Sequence, residues 1–482
     1  MTYMITAKVN MLKNSTRDMN MTEGPVFGKI IIYSLPLIAT GLLQLLFNVS
    51  DSIVVSNFAP NGTASLAAVG SCGALINLIV NLFMGLSLGA GVSVSQYYGA
   101  KQFDEVKKTL HTAIPAAAIL GIVVGVFGFL SAETLLIWTG VEGDILDEAT
   151  LYMRAYMVGM PASMVYNYCA SMLRATGDTQ HSMIFLTIAG VINVILNLFV
   201  VIILGLGAVG VGITSTIANW LSLIMILVFL IRKGEALRFE PKQMRIWWDK
   251  LWLIVRIGIP AGLQGCVFSL SNVVIQSAVN GFGEVVMAGN AAASHLGNLI
   301  YTAMNSLYHS TLNFVGQNVG AGKLHRIKKI VLECSLIVLA IGLILGAFSL
   351  ICGRQLLGIF TKDNQDVIDA GMIKVIYVCG TYFLCGIMEV GCGAMRGMGS
   401  SFIPMVASVV GTCVVRIGWV YTIFALFPTL EVLYLSYPIS WLLTAAAHYI
   451  SCIILYRHLK KKRASAGEEI PAEKILSKVD CG

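Results

Sequence analysis

Charge is scarce in this chain. Asp, Glu, Lys and Arg make up 12% of its 482 residues, about half of the roughly 25% that a water-facing domain carries. Proline is scarce too, at 11 residues. With the long apolar runs, that excludes a disordered chain. The 11 cysteines form no C-x-x-C pair, and most sit inside apolar runs. That spacing argues against a structural zinc site and a disulfide scaffold. Residues 1–28 hold no apolar core of the kind a cleavable signal peptide needs, and read as a cytoplasmic tail. Gly91-Val-Ser-Val-Ser-Gln96 lacks the Gly-Lys-Ser/Thr of a phosphate loop. No ATPase motif appears elsewhere, so work done by this chain would draw on an ion gradient. The net charge of +7 is not gathered into a basic patch with interleaved aromatics, which argues against a nucleic-acid partner.

What the chain has is apolar sequence. Hydrophobic residues reach 57% and the mean hydropathy is +0.80. Twelve apolar segments are expected as helices, at 29–58, 65–100, 110–130, 145–173, 182–204, 210–231, 251–282, 285–320, 330–352, 367–395, 403–427 and 433–456. Most exceed the roughly 20 residues needed to cross hydrocarbon. None alternates as β-barrel strands do. The fold class is therefore an all-α polytopic membrane protein in contact with lipid bilayer.

Orientation follows from the positive-inside rule. Alternate loops carry Lys101, Lys107 and Lys108, then Arg174, the run from Arg232 to Lys250, Lys323 to Lys329, Arg396, and Arg457 to Arg463. The other loops carry only Arg354 and Lys362, with acids such as Glu133 and Glu142. Both termini are expected in the cytoplasm, in a plasma (inner) membrane. Residues 233–250, with Pro241, read as a linker between residues 29–232 and 251–457, and 458–482 as a second cytoplasmic tail.

The two halves repeat one another. Gln96, Gly99 and Lys107 pair with Gln317, Gly320 and Lys328 at one constant offset, and Asn77 pairs with Asn298 at the same offset. Pro36 and Asn48 pair with Pro260 and Asn272, and Arg174 and Gly177 with Arg396 and Gly399, at offsets only slightly larger. Six helices per repeat put both repeats in one orientation, an architecture of transporters.

Several motifs then resemble one family. They are Asn48-Val-Ser-Asp51-Ser-Ile-Val-Val, Leu66-Ala-Ala-Val-Gly70, Gly159-Met-Pro161, Leu173-Arg-Ala-Thr-Gly-Asp178, Gln317-Asn-Val-Gly-Ala-Gly-Lys323 and Tyr437-Pro-Ile-Ser-Trp441. In order across residues 22–460, these resemble the multidrug and toxic compound extrusion (MATE) transporters. The resemblance implies a V-shaped pair of six-helix lobes. It also implies export of small organic, often cationic, compounds in exchange for protons or Na⁺, with no organic cofactor. Nothing in the sequence demands more than a monomer. The rival readings are a lipid or oligosaccharide flippase of the same wider superfamily, and a membrane enzyme. The first would want a large positive cavity. The second would want a His and acid cluster, which the sequence lacks.

Ionisable residues within spans are functional candidates. Asp51 leads, about 22 Å along its helix from Pro36 at 1.5 Å per residue. Gln44, Asn48 and Asp51 share one helix face. Asn193 and Asn197 lie one turn apart on helix five at the same depth. The resemblance implies Asn-x-x-x-Asp there, so one carboxylate is missing from the first lobe. Asp51 with Asn48, Asn193 and Asn197 is the expected ion-coupling group, with a Na⁺ site at Asp51, Asn193 and Asn197 left open. The bland alternative is helix-packing glue. Glu389 is a second coupling acid or a binder of cationic substrate, or else the partner of Arg396 or Arg416. Asn167 and Ser215 are weaker lining residues. His295, Asn298, Thr302, Asn305 and His309 make a polar stripe on helix eight beside Tyr301, facing either a substrate cavity or Asn272 and Gln276 of helix seven. Arg174 and Arg396 read as markers of the inner interface. On this topology, alkaline phosphatase fused at Glu142 should be active and fused at Gly234 inactive. Activity at Gly234 would invert the chain.

Overall fold

A computed structural model describes residues 19–60, 62–361 and 364–465. Most of the two expected tails, and Lys362, lie outside those residues. Among the described residues there is no strand. Twelve helical columns run through them in order. The first six are α1 Val26–Phe58, α2 Gly62–Gly99, α3 Phe103–Trp138, α4 Asp144–Val158 continued by Met160–Thr176, α5 Gln180–Leu198 continued by the π turn Phe199–Ile203, and α6 Gly207–Arg232. The second six begin with α7 Trp248–Asn280, α8 Glu284–Gly320, and α9 Leu324–Thr361. α10 joins Gln365–Tyr377 to Tyr382–Gly397. α11 is the broken run Phe402–Phe424, and α12 is Leu430–Ser465.

Each expected segment falls on one column, but most columns overrun it. α3 is read from hydropathy as 110–130 and spans Phe103–Trp138. Its first turns carry Asp104, Glu105, Lys107 and Lys108, which continue a helix into water without adding to its hydropathy. Among the described residues, ten columns are long and apolar enough to cross a membrane by length and composition. α4 and α8 are the two others. α4 breaks at Gly159, beside Pro161, so neither piece reaches 18 residues. α8 is continuous but diluted by its polar stripe.

α3 shows how these helices pack without a water-driven core. Its large residues Ile119, Ile122, Val123, Val126, Phe127 and Leu130 are exposed. Its small residues Ala117, Gly121, Gly125, Gly128 and Ala132 are buried. A Cβ at Gly121 would stand 2.6 Å from the Pro161 backbone, and one at Gly125 2.9 Å from the Met157 carbonyl. Small residues let backbones touch, which is what holds helix pairs in lipid.

The chain divides into two compact units. The first is Met1–Asn20 with Ala39–Gly262, and the second is Met21–Ile38 with Leu263–Gly482. α1 and α7 therefore each change unit part-way, just past Pro36 and Pro260. A helix-interior proline removes one backbone hydrogen bond and loosens the ladder there. In the first unit the start of α7 lies on α2. Cβ atoms at Gly85 and Gly89 would collide with α7 backbone, at Gly262 and Ile254. Lys250, 2% exposed, reaches Glu105 at 2.5 Å and the Tyr97 hydroxyl at 3.0 Å. In the second unit the start of α1 lies on α8. The Asn313 amide donates to the Tyr33 hydroxyl at 2.8 Å, and Ser34 and Ser310 share a hydrogen bond of 2.7 Å. These seams follow packing, whereas the expected lobes at 29–232 and 251–457 follow chain continuity.

Residues 233–250 are not a free tether. They form the 3-10 turns Glu235–Leu237 and Pro241–Gln243 and bury Leu237 and Phe239. The backbone N–H of Glu240 donates to His111 and that of Trp247 to Thr112, both on α3.

Where α4 ends, Gly177 turns the chain at φ +103°, and Gly399 turns it at φ +92° after α10. Asp178 follows Gly177 and is 1% exposed. It accepts from the His181 ring at 2.8 Å and from Lys233 at 2.6 Å. Burial alone would raise this carboxyl. The His181 hydrogen bond and the Lys233 charge outweigh it and hold the group below its ordinary value. Its stabilisation is therefore complete above pH 4 or so, the unfolded carboxyl value. It is lost as pH falls through the lower folded value. Asp178→Asn should cost about 3 kcal/mol at pH 7, the usual loss when one member of a buried pair goes. Thermal unfolding of the purified protein would show it. Equal stability of the two proteins at pH 7 would refute it.

Candidate functional site

The first unit gathers polar groups around one carboxylate. α5 turns Ile188, Val191, Ile195 and Leu198 outward. Its period of 3.6 then points Asn193 and Asn197 inward, 6% and 0% exposed. The Asn197 amide nitrogen donates to Asp51 Oδ1 at 2.5 Å. Thr214 on α6, fully buried, sets its hydroxyl between Asn197 Oδ1 and the Val211 carbonyl of its own helix, 3.0 Å away; donated to Asn197, that proton fixes which end of the amide faces the acid. Asn193 has two amide orientations. One accepts from Asn197 Nδ2 at 3.3 Å. The other donates to Asp51 Oδ1 at 3.1 Å and accepts from the Ser215 backbone N–H at 3.2 Å. We assign the second, because the first sets the Asn193 oxygen against the Asp51 carboxylate and its nitrogen against the Ser215 N–H. Tyr152 and Tyr156 of α4 lie within electrostatic reach of Asp51.

The structure thus brings Asp51, Asn193, Asn197 and Ser215 together. Asn48 and Gln44 share the α1 face but are exposed and outside the cluster. Asn167 lies elsewhere in this unit. It donates to the Ser163 carbonyl at 2.8 Å, at a small recess lined by Val80, Phe83, Met84, Met160, Ser163, Met164 and Asn167. Thr214, Tyr152 and Tyr156 escaped sequence reading. Thr214 is a short hydroxyl in a Gly-rich stretch, and a lone Thr in a span ordinarily back-bonds its own helix.

The second unit disperses its candidates. Gln276 accepts from Asn290 at 2.8 Å and donates to Asn280 at 2.8 Å. The Tyr434 hydroxyl donates to Asn290 at 3.0 Å. Lys374 donates to Ser294 at 2.6 Å. Asn272, His295, Asn298 and Tyr301 are exposed, and Asn305 and His309 half-buried. The α8 stripe is therefore not a sealed seam along its whole length.

Glu389 is 6% exposed, and among the described residues no hydrogen bond to its carboxylate is formed. Its charged neighbour is Arg396. Arg396 corrects a sequence expectation. It lies in the last turn of α10, as a marker of a span end would, but its side chain is 5% exposed. It donates to the Tyr308 hydroxyl at 2.5 Å and to Gln264 at 2.7 Å. Its neighbours on α7 and α8 supply acceptors inside the unit, so the guanidinium turns inward. Hydropathy alone could not show this, because Arg at a span end reads as a topology marker. Arg416 is not the partner of Glu389; it donates to Ser440 at 2.9 Å. Among the described residues no three of His, Cys, Asp or Glu converge as a metal site would require.

Comparison with known proteins now bears on this arrangement. The MatE family profile matches residues 36–199 and again residues 260–422, one match per repeat. The probable multidrug resistance protein YoeA of Bacillus subtilis is 24% identical over 442 residues, covering 89% of this chain and 93% of that protein. An FAD transporter of Shewanella oneidensis is 25% identical over 353 residues, or 72% and 76% of the two chains. The solved outward-facing structure of a multidrug resistance MATE family transporter of the MOP superfamily superposes with a TM-score of 0.85. It is 20% identical and covers 92% of this chain and 99% of that one. At that identity the superposition speaks for the all-helical fold.

The hydrogen bonds around Asp51 carry a stability consequence. Asn197→Ala strips a donor from a half-buried carboxylate and should cost about 2 kcal/mol. Thr214→Val, which only releases the amide, should cost about 1 kcal/mol. Thermal unfolding of the purified variants would rank them, and the reverse order would refute the geometry.

Proposed function

Because the chain belongs to the MatE family, whose profile its two repeats match in turn, we propose that it is a membrane exporter of small organic compounds. Relatives named for multidrug resistance support that class. The finer reading is an antiporter. Organic compounds, cationic ones included, leave in exchange for an inward ion by alternating access between the two repeats. It acts as a monomer in the plasma membrane, with both termini cytoplasmic, and makes or breaks no covalent bond in its cargo.

The observation that carries the antiport reading is the Asp51 carboxylate held by Asn197 at 2.5 Å. A carboxylate in a span, even half-buried, is costly. Among the described residues its hydrogen bonds come from amide N–H groups. Neutralising Asp51 weakens those bonds and releases Asn197 and Thr214 to rearrange. Release of that kind gives the ion different affinities for two conformations, which is what coupling requires. We take the ion to be a proton, which one carboxylate can bind alone, whereas Na⁺ would need the Asn193 and Asn197 amides to turn their oxygens toward it. Glu389, buried beside Arg396, is a second candidate for coupling, on the other repeat. A relative named for FAD and others named for multidrug resistance leave the cargo's charge to be read from this chain's own residues.

Ethidium efflux from energised cells tests this. It should collapse with a proton uncoupler and persist when K⁺ replaces Na⁺. Asp51→Asn should lower it at least tenfold with unchanged protein level. Efflux that fails only when Na⁺ is removed would overturn proton coupling. Full efflux by Asp51→Asn would remove Asp51 from the mechanism.

A further inference from the structure

The second repeat has a buried polar group in the turn that corresponds to that of Asn193, and its charge is of the opposite kind to that of Asp51. The offsets between the repeats carry Arg416 back to Ile192, Val194 or Ile195, in the same turn as Asn193 though not onto it. The backbone agrees. The π turns Phe199–Ile203 and Val420–Phe424 are separated by the same offset as Gln96 and Gln317. Tyr437 likewise corresponds to Ser215, at the offset that pairs Arg174 with Arg396. So the turn that carries an amide toward a carboxylate in one repeat matches a turn that carries a guanidinium over an aromatic ring in the other.

Arg416 occupies Val415–Trp419, a short α segment between the π turns Val409–Val414 and Val420–Phe424. Paired π turns are rare, and such bulges collect at functional sites. The side chain is 5% exposed. Its Nε donates to Ser440 Oγ at 2.9 Å. The guanidinium lies 4.1 Å from the Tyr437 ring centroid and 5.6 Å from that of Trp441. Trp441 is backed by Tyr382, with centroids 5.1 Å apart. The neighbours that set its charge environment are Tyr437, Cys385, Cys413 and Tyr382, with no carboxylate among them. Among the described residues no group accepts a hydrogen bond from either Nη.

A guanidinium carries five N–H donors in one plane. Ser440 takes one and four are unmet. A buried charge with unmet donors and no counter-ion is costly. Stacking on Tyr437 holds the fork in place without using its hydrogen-bonding edge. A planar, rigid, unpaired fork is the form that receives an oxyanion through two parallel bonds.

We propose that Arg416, fixed on Tyr437 by Ser440, binds the oxyanion of an organic compound, a carboxylate or a phosphate, through its two Nη groups. The compound is cargo only if the export reading holds; the anion site itself stands apart from that reading.

The test uses purified full-length protein and carboxyfluorescein, with binding read by fluorescence polarisation. Saturable binding should be displaced by benzoate or phenyl phosphate, and the stronger competitor names the oxyanion. Benzylamine should not compete. Arg416→Met should weaken binding about a hundredfold and Arg416→Lys, which keeps the charge but loses the fork, about tenfold. Weaker binding in phosphatidylglycerol nanodiscs than in detergent would assign the oxyanion to a lipid headgroup, and equal binding to a soluble compound. The proposal fails if no saturable binding occurs, or if benzylamine competes as well as benzoate. It also fails if Arg416→Lys, the variant most secure in folding, binds like the parent. Anion binding without ethidium efflux would keep the site and remove the export reading. Efflux without anion binding would do the reverse.

Discussion

Inside a bilayer a peptide N–H finds a carbonyl of its own chain or finds nothing. That constraint makes every element here a helix and leaves turns such as Gly177 and Gly399 for the ends. It also removes the usual reward for burying large side chains, because lipid is as apolar as leucine. Contact between helices then rests on how closely their backbones approach. The buried Gly121 and Gly125 of α3, beneath exposed Ile122 and Phe127, are what such packing looks like. The same constraint makes each buried polar side chain conspicuous, since it too must find a partner within the chain.

The two repeats meet that requirement differently. In the first, one acid collects donors from a neighbouring helix, and Thr214 orders them from behind. In the second, Arg396 and Arg416 are buried, with Glu389 as the buried acid among the described residues. The bonds of the two arginines go to hydroxyls and an amide instead of a carboxylate. Duplication supplied matching backbones, down to π turns at equivalent positions. Substitution then filled equivalent positions with unlike chemistry. Internal symmetry of fold is therefore no guide to symmetry of charge.

Much of this was legible from residues alone. Twelve apolar runs and a one-sided distribution of Lys and Arg suffice for the columns and their order, because hydrocarbon thickness sets span length. Asp51 with Asn193 and Asn197 was legible because helical period and matched depth bring them to one level. Thr214 was not, since nothing local separates a hydroxyl that orients a neighbour from one that back-bonds its helix. The inward turn of Arg396 was hidden for a related reason. Whether a terminal arginine turns to water or inward depends here on Tyr308 and Gln264, both far away in the chain. The change of unit within α1 and α7 was also hidden, because hydropathy describes a helix along its length and not the company kept by its two ends.

That exchange bears on how such a chain could have arisen. The first unit is completed by residues 248–262, and the second by residues 21–38. A chain cut within 233–250 would yield two six-helix pieces, each lacking the helix start that its own unit uses. An ancestor with one repeat per chain would have met the same shortage. Two copies would have had to trade the beginnings of their first helices, as in a swapped dimer. Fusion of two such copies would turn that loan between molecules into an arrangement within one chain, in which neither repeat is self-sufficient.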